Sequence, residues 1–147
     1  MRALIQRVSQ ANVKIDEKII SEIKRGLLVL VCAMADDTEN EAEQMASKIS
    51  KIRIFNDENG KMNKSVKDIN GEALVVSQFT LAADTSRGNR PGFSYAAHPE
   101  KGEKLYEYFT TKLQDMDINC KMGVFGGDME VSLINDGPTT IWLDNKD

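Results

Sequence analysis

The sequence predicts a single α/β domain in which mainly antiparallel sheets are combined with two amphipathic helices. Three observations predict it. At 147 residues the chain is the size of one domain and can bury most of its apolar surface without disulfides or metals. Short runs of strand length, alternating or wholly apolar, recur along it at 3–8, 11–15, 18–23, 27–34, 52–55 and 129–134. Two longer stretches, 38–51 and 99–114, instead repeat apolar residues at helical intervals. No internal repeat, linker or low-complexity segment divides the chain, so residues 1–147 are read as one unit.

In order, residues 3–8 and 11–15 alternate apolar with polar side chains, and 18–23 continues the habit after Asp16-Glu17; these are read as antiparallel strands. Gly26 breaks the pattern and introduces LLVLVCAM at 27–34, a continuous apolar run suited to a central strand covered on both faces. Thr38 and Glu41 have the spacing of a capping box, and Ala42, Met45, Ala46, Ile49 and Ile52 follow on one helical face. Residues 52–55 (IRIF) resume strand character and stop at a turn containing Asn59-Gly60, while 62–69 has no clear period and is read as loop. Pro99 suits the first turn of the second helix, whose apolar face is Leu105, Tyr108, Phe109 and Leu113. Strands are expected at 119–124 and 129–134, with a turn at 125–128. Asn135-Asp136-Gly137-Pro138 then interrupts the chain before a last strand at 140–143.

The stretch 74–83 (LVVSQFTLAA) is the one that points to function. Leu74, Val75 and Val76 favour a buried strand, and Ser77, Gln78 and Thr80, with Phe79 among them, place hydrogen-bonding side chains where it emerges. Residues 84–92 (DTSRGNRPG) are too rich in Gly, Asn, Arg and Pro for regular structure, so the strand opens onto a surface loop. Such a pattern suits a ligand, but on local chemistry alone a strand that simply ends is the simpler reading.

Much chemistry is excluded. His98 is the single histidine, so no metal site built on several imidazoles is possible, and any Ser-His-Asp triad would have to use it. It precedes Pro99 at a helix entry, where a capping or surface role is the simpler reading. No phosphate-binding GxxxxGK[ST] or strand-linked GxGxxG occurs. Cys32 and Cys120 lie far apart without CxxC or histidine neighbours and are read as reduced core thiols. No metal and no cofactor is expected. No apolar run approaches the about 20 residues of a membrane span. Residues 1–10 carry Arg2 and Arg7 without the apolar core of a signal peptide, so a cytoplasmic chain without a membrane partner is expected. The net charge of −4 repels nucleic acid on average; a local patch of Arg87, Arg90, Lys101 and Lys104 is interleaved with Asp84, Glu100 and Glu103. Gly137-Pro138 reads first as a hairpin turn, and Phe125-Gly126-Gly127-Asp128-Met129 as a turn followed by a core methionine.

These residues together resemble the D-aminoacyl-tRNA deacylases of the bacterial and eukaryotic type, often called D-tyrosyl-tRNA deacylases. The likeness runs along essentially the whole chain, through ALIQRV at 3–8, GLLVL at 26–30, Arg53 to Phe55 and GKMN at 60–63. Its defining motifs are Ser77-Gln78-Phe79-Thr80 and Asn135-Asp136-Gly137-Pro138 followed by Thr139-Thr140. One departure shows: Thr139 stands where the family usually has Val, a nearly isosteric change that adds a hydroxyl.

The resemblance implies a layered β/β/α homodimer with its active site at the subunit interface. There the catalytic segment Ser77, Gln78, Phe79 and Thr80 of one subunit meets Gly137-Pro138 of the other, across a cis Gly-Pro bond. It implies hydrolysis of the ester between a D-amino acid, or glycine, and the 3′ end of tRNA. L side chains are excluded by the Gly137-Pro138 carbonyls, which is chiral proofreading in translation quality control. Phe125 and Met129 lie by the pocket, where an aromatic face stacks on the terminal adenine. A positioned water, oxyanion donors from backbone N–H groups near Phe79 and Thr80, and the ribose 2′-OH suffice for an activated ester. Thr80 has no base in its motif and is expected to position rather than attack. Two other classes fit the same motifs: a non-catalytic nucleic-acid-binding dimer, and a serine or threonine esterase that depends on His98.

Overall fold

The two alternating runs at the start of the chain form one strand, β1 (Arg2–Ile15), in the computed structural model, which describes residues 1–146. Expected as two strands, they stay joined because the ladder absorbs the irregularity: register against the C-terminal strand shifts twice between Gln6 and Gln10. Ala3 and Ile5 enter one buried cluster, and Val8, Ala11 and Val13 enter another. Strand β2 (Lys18–Ile23) pairs antiparallel with the second half of β1, and β3 (Gly26–Cys32) with its first half. Gly26 begins β3 as a packing requirement, since a Cβ there would lie 1.8 Å from the Glu72 carbonyl oxygen.

Helix α1 (Glu39–Lys51) starts at the expected capping box: the Thr38 N–H donates to the Glu41 carboxylate at 2.8 Å, and the Asn40 N–H donates to the Thr38 hydroxyl. Ile52 is its C-terminal cap and not the start of a strand, so β4 is confined to Phe55–Asn56. It pairs with β5 (Met62–Lys64), in a segment expected to be loop. Strand β6 (Glu72–Ser77) is followed by helix α2 (Pro99–Asp115), strand β7 (Asn119–Met122) and β8 (Glu130–Asp144). In α2 it is Tyr106, rather than Tyr108, that joins Leu105, Phe109 and Leu113 in the core.

The six-stranded sheet is mixed: β1 pairs antiparallel with β2, β3 and β8, whereas β3–β6 and β6–β7 are parallel. Helices α1 and α2 supply the long crossovers that parallel neighbours require. Strands β3 and β6 are buried on both faces. Leu27, Val29, Ala73 and Val75 pack with Met45, Ile49, Phe109 and Leu113, while Leu28, Leu74 and Val76 pack with Val8, Ala11, Val13 and Ile23. The Val, Leu, Ile, Phe and Met side chains among them each contribute about 1.5–3 kcal/mol when fully buried. The end of β6 is therefore fixed by the core on both sides.

Asn135 to Pro138 interrupts the ladder without ending the strand. Thr140 pairs with Gln6 and Asn135 with Val8, so residues 136–139 are looped out opposite Arg7. Arg7, itself buried, donates to the carbonyl oxygens of Asp136 (3.1 Å) and Ile54 (2.7 Å), and the Thr139 N–H donates to the Asn135 side chain at 2.9 Å. The Gly137-Pro138 bond is cis, and Gly137 has φ +127°. A Cβ at Gly137 would stand 2.7 Å from the Thr139 hydroxyl and 2.8 Å from an Arg7 guanidinium nitrogen, so glycine is required by space as well as by φ.

Candidate active site

Beyond Ser77 the chain leaves the sheet as a 3₁₀ turn, Phe79–Ala82, and three contacts from behind hold that turn. The Gln78 N–H donates to the Val31 carbonyl at 2.9 Å. Arg2 donates to the Leu81 carbonyl at 2.8 Å while pairing with Asp144 at 3.1 Å. The Cys32 thiol lies 3.7 Å from the Phe79 carbonyl. As the first residues of the turn, Phe79 and Thr80 have N–H groups with no intrahelical partner, two donors side by side at a strand end.

On the other side of the turn lies a cleft of about 740 Å³. Ser77, Gln78 and Phe79 form one wall, Phe93, Ala96 and Ala97 a second, and Phe125 and Met129 a third. Phe79 is 57% exposed, with its ring edge-on to Phe93 at 5.0 Å. Phe125 packs 6.0 Å from the Tyr106 ring, and the Tyr106 hydroxyl donates to the Val75 carbonyl at 2.8 Å; burial pushes that hydroxyl's pKa up. Phe125 opens the expected turn, closed by the Gly127 N–H donating to the Val124 carbonyl at 3.0 Å, and Met129 packs against Gly123 and the second core cluster and receives the Val124 N–H on its sulfur.

The structure thus brings Ser77, Gln78, Phe79, Phe125 and Met129 together and leaves three predicted residues off the cleft wall. Thr80 is exposed one step along the turn, its hydroxyl accepting from the Gln78 side-chain amide at 2.6 Å. Gly137 and Pro138 are exposed on the β8 bulge and do not line the cleft of their own chain. His98 occupies the N-cap position of α2 without a side-chain capping bond and instead lies on the cleft rim, with Lys101 and Asp128. The second wall, Phe93 to Ala97, was missed by sequence reasoning because GFSYAA has no period and no motif. It is tied to the core by the Ala35–Tyr95 and Ala97–Ala33 backbone bonds (2.8 and 3.0 Å). A second groove of about 630 Å³ runs along α1 and contains none of the predicted residues.

The cysteines are free and buried, and burial raises the Cys32 thiol to about 11 and the Cys120 thiol to about 12, so both are protonated and inert. Among the described residues no cluster of His, Cys, Asp or Glu is placed to hold a metal ion, and no helix is long and apolar enough to cross a membrane.

The family model described as D-Tyr-tRNA(Tyr) deacylase matches residues 4–144, which contain both motifs and every wall of this cleft. The chain belongs to this family. Its members hydrolyse the ester bond of aminoacyl-tRNA. A D-aminoacyl-tRNA deacylase of Ruegeria pomeroyi is 61% identical over 144 residues, 98% of this chain and 99% of the relative. One of Thermotoga petrophila is 56% identical over 146 residues, 99% of this chain and 98% of the relative. Among solved structures, the c-Myc DNA Unwinding Element Binding Protein superposes with a TM-score of 0.93 at 42% identity, covering 98% of both chains. A probable eukaryotic D-amino acid tRNA deacylase superposes at 0.81 with 17% identity, covering 97% of both chains, a likeness of fold alone.

Proposed function

We propose that this deacylase hydrolyses D-aminoacyl-tRNA, and glycyl-tRNA, in a site made by two copies of the chain, acting as a chiral proofreader in the cytoplasm. The observation that carries the reading is the division of the site residues. Ser77 to Phe79 and Phe125 share a cleft, whereas Gly137-Pro138 is held out on a bulge that does not line it. In a homodimer that bulge enters the partner's cleft, and its carbonyls occupy the space an L side chain would need. A D side chain points away from them and glycine has none. Selection by a backbone wall costs the correct substrate nothing and rejects the wrong enantiomer by clash. The β/β/α layering implied by family likeness accords with strands β3 and β6 being covered on both faces.

The chemistry asks little of side chains. A water oxygen attacks the ester carbonyl carbon, the carbonyl oxygen becomes an oxyanion, and the Phe79 and Thr80 N–H groups donate to it. The bond to the ribose oxygen then breaks, that oxygen takes a proton, and free amino acid and tRNA leave. The adjacent 2′-OH helps to orient the water. The Phe125 face stacks on the terminal adenine, with Met129 beside it. Thr80 is held by Gln78 as an acceptor and meets no base, which supports a positioning role. An esterase built on His98 is disfavoured for the same reason: among the described residues His98 makes no hydrogen bond to Ser77 or Thr80. The test is hydrolysis of matched D- and L-aminoacyl-tRNA by the purified chain. Release from the D form alone is expected; equal release from both would refute exclusion, and release from neither would leave a binding protein.

A further inference from the structure

Four cations lie near the cleft in sequence, and the structure separates them into two kinds. Lys104 is paired with Glu100 at 3.6 Å, one helical turn away, and Lys101 donates to the Ala35 carbonyl at 2.6 Å. Arg87 and Arg90 are fully on the surface and have no carboxylate partner among the described residues. Both stand at the tip of a hairpin closed by reciprocal backbone bonds between Asp84 and Gly92, 2.8 and 2.9 Å. The one acid in that loop is turned inward: the Asp84 carboxylate accepts from the Ser86 N–H and hydroxyl at 3.0 and 2.6 Å, which also holds its pKa down. It therefore stays charged but does not pair with the arginines. The hairpin leaves directly from the Phe79–Ala82 turn and returns to Phe93, whose ring meets Phe79 at 5.0 Å. Two unpaired guanidinium groups thus stand on the loop that joins the Phe79–Ala82 turn to Phe93 of the cleft wall, on a chain of net charge −4.

Taking the cleft as the seat of the aminoacyl end, we propose that Arg87 and Arg90 form a second contact with the substrate and bind backbone phosphates of the RNA beyond its terminal nucleotide. A cleft of about 740 Å³ holds an end group and little more, so the rest of the RNA must run outside it. An acidic surface repels that polyanion except where cations stand unpaired. Guanidinium groups match phosphate oxygens in geometry and cannot lose their charge. Phosphate contacts carry no sequence information, so this contact serves any tRNA whose amino acid passes the cleft.

The experiment compares two substrates with the same ester: a full-length D-aminoacyl-tRNA and the corresponding D-aminoacyl-adenosine. For Arg87→Gln/Arg90→Gln, kcat/KM on full-length tRNA falls about tenfold near 0.1 M salt, and the slope of log kcat/KM against log salt becomes shallower by about 2. Hydrolysis of the adenosine ester stays at the wild-type rate. Arg53→Gln removes the same charge from a different groove, beside Lys51 and Lys67, and leaves both substrates unchanged. No loss on full-length tRNA, or an equal loss on both substrates, overturns the proposal. Wild-type protein inert toward both esters overturns the deacylase reading itself, and this contact with it.

Discussion

The end of β6 and the bulge in β8 are both places where a strand departs from its ladder, yet they are built in opposite ways. The Phe79–Ala82 turn is buttressed from behind by Val31, Arg2 and Cys32, with its open side facing a cleft of its own chain. The bulge at 136–139 is anchored by Arg7 at its root and is exposed at its tip. The first is a floor that the fold completes; the second is a wall without a room. A fixed floor suits oxyanion donors, whose value depends on standing still, and a protruding backbone suits exclusion in another molecule.

The largest effect that tests this contrast is expected at the bulge. Gly137→Ala places a Cβ at 2.8 Å from the Arg7 guanidinium and at a φ that L residues rarely adopt, so the tip must move. Because about 1 Å of misplacement can cost a hundredfold in rate, kcat/KM for D-aminoacyl-tRNA is expected to drop by about that factor. A Gly137→Ala chain with wild-type kinetics and unchanged rejection of L substrate would show that the tip has no part in the site. Next comes the buttress. Arg2→Met removes the donor to the Leu81 carbonyl and the partner of Asp144, and should lower thermal stability by about 1.5–3 kcal/mol. If the turn is held for catalysis, kcat falls with it while KM changes little; a stability loss with unchanged kcat would make Arg2 merely structural. Thr80→Ala should cost less than about tenfold, because its hydroxyl accepts from Gln78 and has no base, whereas loss of a true nucleophile can cost about a millionfold.

The smallest effect lies away from both regions and serves as their control. Hydrogen bonds from the Thr38 hydroxyl and N–H hold the Glu41 carboxyl at about 2. A carboxyl whose folded pKa is depressed contributes stability that is fully present above its unfolded value and is lost as pH falls through the folded one. Glu41→Gln should therefore be less stable than wild type at pH 6, with the gap closing between about pH 4.5 and 2, and activity at neutral pH unaffected. A gap independent of pH, read from denaturant midpoints, would remove the charge from the explanation of this cap.

Where local chemistry decides, the sequence was readable: the Thr38 capping box, Pro99 at the start of α2 and the buried run 74–76 all appear in place, while the apolar run expected at 27–34 is a strand only as far as Cys32, with Leu30 half-buried. The parallel pairing of β3 with β6 was also written there, in two continuous apolar runs flanking an amphipathic helix, a strand–helix–strand signal that the alternation of the first strands obscured. The single long β1 was not legible, since Ser9 and Gln10 look like a break and only pairing with β8 carries the strand through them. Nor was the Phe93 to Ala97 wall, which has no period of its own and is positioned by the Ala33 carbonyl, which accepts from the Ala97 N–H, and by the Ala35 N–H, which donates to the Tyr95 carbonyl. Ser77 to Phe79 were singled out as polar groups at a strand end and Phe125 and Met129 through motif likeness; their meeting in one cleft depends on β6 and the 125–129 loop that follows β7, a long-range arrangement no local pattern encodes.

The division of the site between two chains is the central claim, and subunit mixing tests it most directly. One chain carries Gln78→Ala and Phe79→Ala, which disable the cleft but spare the bulge; the other carries Gly137→Ala, which spoils the bulge but spares the cleft. Each alone should be nearly inactive. When the two are unfolded together at equal concentrations and refolded, half of the dimers are mixed and each regains one intact site, so about a quarter of wild-type activity should return. If each site were complete within one chain, mixing would restore nothing.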